Sequence, residues 1–161
     1  MSMQLTKADL YLAGHAGVMR RLSAMSKQRP EPFGTPLADL WGVDIESCAA
    51  ELLVSRALNQ SWTPYAASPA EILSDVGRAV QVRHTPRGNG CLILHNKDQD
   101  DHAFVLVVGI GTGQRIVGWL WGRDGKHPSY WRTSTGRPAY FVPQEALSLI
   151  TGLQACLNQQ H

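Results

Sequence analysis

Asp75-Val76-Gly77-Arg78-Ala79-Val80-Gln81-Val82-Arg83-His84-Thr85 is the most informative stretch of this chain. Ala79 to Thr85 alternates in the way expected of a half-buried strand. On such a strand Val80 and Val82 point into the core, while Gln81 and Arg83, two apart, share the opposite face. Asp75 stands just ahead of it. An acidic group at a strand start, with two polar groups projecting from the strand, makes a small oxygen-rich cluster. Oxygen ligands with open water positions are what Mg²⁺ prefers. Such an ion activates water and offsets charge on a scissile phosphate, and a cation beside it stabilises developing negative charge.

Upstream of this strand the pattern is helical. Residues from about Thr6 to Lys27 read as a helix capped by Thr6, with Asp9 at the capping-box spacing. Leu10, Ala13, Gly14, Gly17, Val18, Leu22 and Met25 form its apolar stripe. Gly14 and Gly17 cost helix propensity, so a close neighbour is expected to need them small. Gln28 to Pro36 reads as a connector, with Pro30, Pro32, Gly34 and Pro36. A second helix is expected from about Asp44 to Leu58, apolar around nearly its whole circumference and hence buried on most sides. Ser61 to Glu71, with Pro64 and Pro69, is irregular.

Downstream, Pro86 to Gly90 turns the chain, Cys91 to His95 is a short apolar strand and Asn96 to Asp101 a polar loop. Phe104 to Ile110 reads as a central strand, Gly111 to Gly113 as a turn, and Arg115 to Trp121 as another strand. Pro143 suits a first helical turn, so Gln144 to Asn158 is expected to close the chain as a helix. Two helices followed by a strand cluster give a mixed α/β (α+β) class: one domain over 1–161, with a central mixed sheet flanked by helices.

The bulk numbers agree. The chain has 161 residues, 43% hydrophobic and 17% charged, enough for one core and too apolar for disorder. Its net charge of +2 neither demands nor excludes a nucleic-acid partner. Cys48, Cys91 and Cys156 form neither a CxxC pattern nor an obvious disulfide framework, so a reduced, intracellular protein is the simplest reading. No signal-peptide core and no bilayer-length apolar run stand out.

Glu51 lies inside the apolar run of the second helix. A buried carboxylate needs a cation or strong donors. Two readings fit it: a metal ligand, or a structural ion pair with Arg83, Arg78 or another arginine. Asp75 likewise fits a metal site or a plain turn before Gly77.

The order Glu51, Asp75, Gln81, Arg83 resembles the PD-(D/E)XK, restriction-endonuclease-like superfamily: a helix glutamate, a strand aspartate, then (E/Q)-x-K. Ala49-Ala50-Glu51-Leu52-Leu53 to Trp62, Asp75-Val76-Gly77 and Gln81-Val82-Arg83-His84-Thr85 resemble small phage nuclease-like proteins. So do Gly118-Trp119-Leu120-Trp121-Gly122 and Arg137-Pro138-Ala139-Tyr140-Phe141-Val142-Pro143. The resemblance implies a metal-dependent nuclease acting on phosphodiester bonds, DNA first. Glu51, Asp75 and Gln81 would then bind Mg²⁺ (or Mn²⁺), and Arg83 would join them as the fourth catalytic residue. Two positions depart from the pattern. Gln81 offers a neutral amide oxygen instead of a carboxylate. Arg83 replaces lysine, and it clamps phosphate but cannot act as a general base. Those departures keep an alternative open: an inactive nucleic-acid-binding or host-protein-interacting relative on the same fold. A cytoplasmic setting in a bacterial host and an allowed homodimer complete the expectation, with no membrane partner.

Arg83, His84, Arg87, Arg123 and Lys126 are the candidate nucleic-acid contacts. Arg115, Arg132 and Arg137, interleaved with Tyr130 and Trp131, add a basic aromatic character, although a scattered solvated surface is the bland reading. A solvent-facing role is favoured for His84. Asn96, Asp98, Asp100 and Asp101 lack calcium-loop spacing, so a solvated hairpin loop is expected. His95 and His102 lack further ligands at metal spacing. Trp119 and Trp121 share a strand face, and packing under a helix is favoured over base stacking.

Overall fold

A computed structural model describes residues 3–27, 35–64 and 74–158. Residues 28–34 of the expected connector and 65–71 of the expected irregular stretch lie outside the described residues, as do 72 and 73.

Helix α1 spans Lys7–Ser26 and starts as its sequence requires. Thr6 Oγ1 accepts the Asp9 N–H at 3.2 Å, and Asp9 Oδ2 accepts the Thr6 N–H at 2.7 Å. Asp9 also pairs with Arg56 of helix α2, Leu37–Leu58. Burial pushes the Asp9 carboxyl up, but the Thr6 donors and Arg56 outweigh it and hold it below its ordinary value. The two helices lie close where α1 is small. A Cβ on Gly17 would meet Ile45 Cα at 2.6 Å, whereas one on Gly14 would meet nothing within 4 Å. The expected stripe is therefore only half used. Ala13 and Gly17 are buried, but Val18, Leu22 and Met25 face outward.

Helix α2 begins two turns before the expected Asp44, directly after Pro36. Its first turns carry exposed Leu37 and Val43, so no buried stripe marks them in the sequence. Its second half is buried from Cys48 to Ser55, and Asn59 ends it in the left-handed conformation at φ 52°.

Among the described residues six strands follow: β1 Val80–Thr85, β2 Leu92–Leu94, β3 Ala103–Val108, β4 Arg115–Trp121, β5 Trp131–Arg132 and β6 Ala139–Val142. They form two three-stranded sheets in place of the one expected. The first, β1-β3-β4, is mixed: β1 runs parallel to β3, and β4 antiparallel. Strand β3 is its centre and is buried along its whole length. The second, β2-β6-β5, is antiparallel. Strands β5 and β6 escape a periodicity reading because they are two and four residues long.

Strand alternation explains the layering. Val80, Val82, Val105, Val107 and Trp119 face the helices, and Phe104, Leu106, Val108 and Leu120 face the second sheet. In β4 the register steps between Leu106↔Gly118 and Val107↔Ile116, leaving Val117 as a bulge. That extra residue keeps Ile116 and Trp119 on the same helix-facing side. A one-turn helix α3, Gly122–Gly125, follows β4. The closing helix α4 is Ile150–Asn158, shorter than expected, because Gln144–Ala146 forms only a 3₁₀ turn. Ser148 then pairs with Trp119 through backbone bonds of 2.9 Å in both directions. Trp119 and Trp121 meet edge to face at 5.2 Å, and the Trp119 indole donates to Leu149 O, so both are packing residues. Among the described residues, no helix is long and apolar enough to cross a membrane.

Candidate functional site

The site grows from the free edge of β1. Val76 bridges Val80, and the Asp75 N–H donates to Val80 O at 3.0 Å. The chain turns this tightly because Gly77 adopts φ +57°, a conformation that side chains disfavour. The turn carries Asp75 alongside β1, where its Oδ2 accepts the Val82 N–H at 2.8 Å. The carboxylate thus occupies the place a neighbouring strand's carbonyl would take. Asp75 is more than a turn residue: its side chain is anchored at the level of Gln81 and Arg83. Among the described residues no hydrogen bond reaches its Oδ1.

Glu51 approaches from α2 and is only 5% exposed. Its Oε1 accepts from Arg20 Nη1 at 2.8 Å, and its Oε2 from Arg20 Nη2 at 2.9 Å. The Trp62 indole adds a third donor to Oε2 at 3.0 Å. The ion-pair reading of Glu51 therefore holds, with Arg20 of α1 as the partner. A buried carboxylate announces that it needs a donor, but sequence could not choose this arginine, which lies 31 residues away. Burial works against the Arg20 charge, yet the hydrogen bonds and charge of Glu51 outweigh it and hold the guanidinium above its ordinary value.

The two carboxylates feel one another. Asp75 is pushed up to about 6, first by burial and next by the Glu51 charge; the Val82 N–H, Arg83 and Arg20 pull the other way. Asp75 therefore holds its proton more tightly than a free carboxyl, chiefly because it is buried, although Arg20 and Arg83 lie near enough to oppose the shift. Cys48 borders the same cluster and is pushed up to about 12, chiefly by burial, so it is an inert thiol.

Gln81 and Arg83 share the sheet face opposite the helices, as alternation requires. Gln81 Nε2 lies 3.5 Å from His102 Nδ1, a long contact. Arg83 pairs with Asp98 at 3.1 Å, and its guanidinium sits 5.2 Å from the Phe104 ring centre. Arg83 acts on Asp75 through charge from that position. His84 is half-buried, with Nε2 2.7 Å from Gly109 O, which corrects the solvent-facing expectation.

The 96–101 loop is solvated, as expected, with Asn96, Asp100 and Asp101 exposed, and it joins strands of different sheets instead of closing a hairpin. It is held from within. Asp98 Oδ2 accepts the His95 N–H at 2.9 Å while its other oxygen takes Arg83. Lys126 donates to Asn96 O, Asp98 O and Asp100 Oδ1, and its side chain is only 16% exposed. Of the candidate nucleic-acid contacts, Lys126 is therefore turned into this loop. Arg123 lies over Trp121 at 5.3 Å. Arg87 is exposed in the turn after β1.

Among the described residues, no three His, Cys, Asp or Glu side chains converge as a ready metal cage. The oxygen donors on offer are Glu51 and Asp75, whereas Gln81 projects from the opposite sheet face toward His102. No family model, curated protein or solved structure matches the chain.

Proposed function

We propose that this chain is a metal-dependent nuclease of the PD-(D/E)XK type, hydrolysing phosphodiester bonds of nucleic acid, DNA in the first place. The observation that carries the reading is Asp75: a carboxylate pinned to the β1 edge by Val82 and raised in proton affinity by burial and by Glu51. A divalent cation relieves that repulsion, and two carboxylates with open water positions suit Mg²⁺ or Mn²⁺. Glu51 and Asp75 would hold the ion. When bound, the ion supplies an activated water and offsets charge on the phosphate.

The remaining chemistry belongs to the chain. The Val82 N–H fixes the Asp75 carboxylate. Arg20 and Trp62 fix Glu51 through its two oxygens, an outer shell of the kind that orients metal ligands. Arg83 clamps a phosphate oxygen by exchanging its contact with Asp98. It stays protonated, so it stabilises charge and takes no proton. The test is incubation of purified protein with labelled single-stranded and duplex DNA and RNA in Mg²⁺ or Mn²⁺. Cleavage lost in Asp75→Asn is expected, and failure to cut any of these forms refutes the activity.

A second reading is a relative that binds nucleic acid without cutting it. The observation favouring it is that Arg20 already neutralises both Glu51 oxygens. It predicts salt-sensitive binding without cleavage.

A further inference from the structure

A cleft of about 670 Å³ is lined by residues of β1 and β3 from the first sheet and of β2 and β6 from the second, Arg83 among them. Its wall is apolar: Leu106 from β3, Ile93 from β2, and Ala139 and Phe141 from β6. Ile93 and Phe141 are register partners, so their side chains stand together on one face of the second sheet. Ile93 is 36% exposed, an aliphatic side chain left in solvent beside an aromatic one. The rim is basic. Arg87 borders it from the turn after β1 and Arg137 from the segment before β6; both are exposed. Arg83 adds to the same sign, and no Asp or Glu is among the lining residues.

From this we infer that the cleft is a binding site for an unpaired nucleotide of DNA, its base against Ile93 and Phe141 and its flanking phosphates at Arg87 and Arg137. Three features select that ligand. An aromatic and aliphatic wall accepts the face of any base without reading its edge. Arginines on two sides match the phosphates that precede and follow a nucleotide. The volume lies in the range of small-ligand sites and does not suit a paired duplex. The position adds a consequence. Arg83 lines the cleft and also acts on Asp75 by charge. A nucleotide seated there brings its phosphate to the arginine that adjoins the acidic pair. The inference rests on the nuclease reading for its role in cleavage, but not for binding.

Binding is read by fluorescence anisotropy in EDTA, with labelled oligothymidylate of about 20 nucleotides and a duplex of equal length as probes. The single strand is expected to bind about tenfold or more tighter than the duplex. Ile93→Glu, at a position 36% exposed, is expected to weaken it by about tenfold or more. Arg87→Ala and Arg137→Ala should each reduce the slope of log Kd against log salt by about 1. Equal affinity for duplex, or parental binding by Ile93→Glu, overturns the inference. Polyglutamate competing as well as oligothymidylate, with the same Ile93 dependence, also overturns it, in favour of an acidic protein segment. Cleavage assays separate the two proposals. Tight Ile93-dependent binding with no cutting in Mg²⁺ refutes the nuclease reading alone. Cutting that Ile93→Glu leaves unchanged refutes the cleft alone.

Discussion

Replacing Asp75 with asparagine should stabilise the metal-free protein, and only above the pH at which Asp75 ionises. Burial and the Glu51 charge raise this carboxyl from 3.8 to about 6. That difference corresponds to at most about 3 kcal/mol against the ionised form. The direction follows from proton binding. Between those two values the folded protein holds the proton that the unfolded chain has released. The stability tied to the protonated form is complete below about pH 4 and is lost as pH rises through about 6. Asparagine keeps an oxygen for the Val82 N–H and never ionises. Asp75→Asn should therefore match the parent near pH 4 and exceed it by about 1–3 kcal/mol near pH 8. Urea unfolding in EDTA at both pH values measures the gap, and the remaining carboxylates largely cancel between the two proteins. A variant less stable than the parent near pH 8, or a gap independent of pH, would refute the electrostatic account of the acidic pair.

Three further predictions concern the scaffold. Gly17→Ala should lose about 1–3 kcal/mol because its Cβ enters Ile45, whereas Gly14→Ala should gain up to about 1 kcal/mol from helix propensity; thermal melts of the pair check both. Lys126→Met removes a cation from three loop acceptors and should lose about 1–3 kcal/mol. Faster amide exchange over 96–101 with oligonucleotide affinity retained would mark Lys126 as a loop residue, and lost affinity would contradict its placement. Thr6→Ala removes the α1 cap and should lose about 1 kcal/mol in urea unfolding.

Local chemistry made part of this molecule readable. Thr6 and Asp9 announce the start of α1 because a capping box spans four residues. The alternation of Ala79 to Thr85 announces β1, and the unbroken apolar run after Asp101 announces the central strand. The start of α2 was hidden because Leu37 and Val43 are exposed, so its first turns show no buried stripe. The split into two sheets was hidden because β5 and β6 are short and β6 pairs at long range with β2. The site divides in the same way. That Glu51 needs a buried partner follows from one residue's chemistry; that the partner is Arg20 depends on how two helices cross at Gly17. Asp75 could be placed near Gln81 and Arg83 by spacing alone. The Val82 hydrogen bond and the Lys126 cage depend on the fold.

The most direct test of the acidic pair as a metal site is a crystal soaked in Mn²⁺ and measured for anomalous scattering. A peak bonded to Asp75 and Glu51 is expected, with Arg20 giving up at least one Glu51 oxygen to the metal. No peak at this pair, with Arg20 retaining both Glu51 oxygens, would contradict it and leave Glu51 as one half of a structural ion pair.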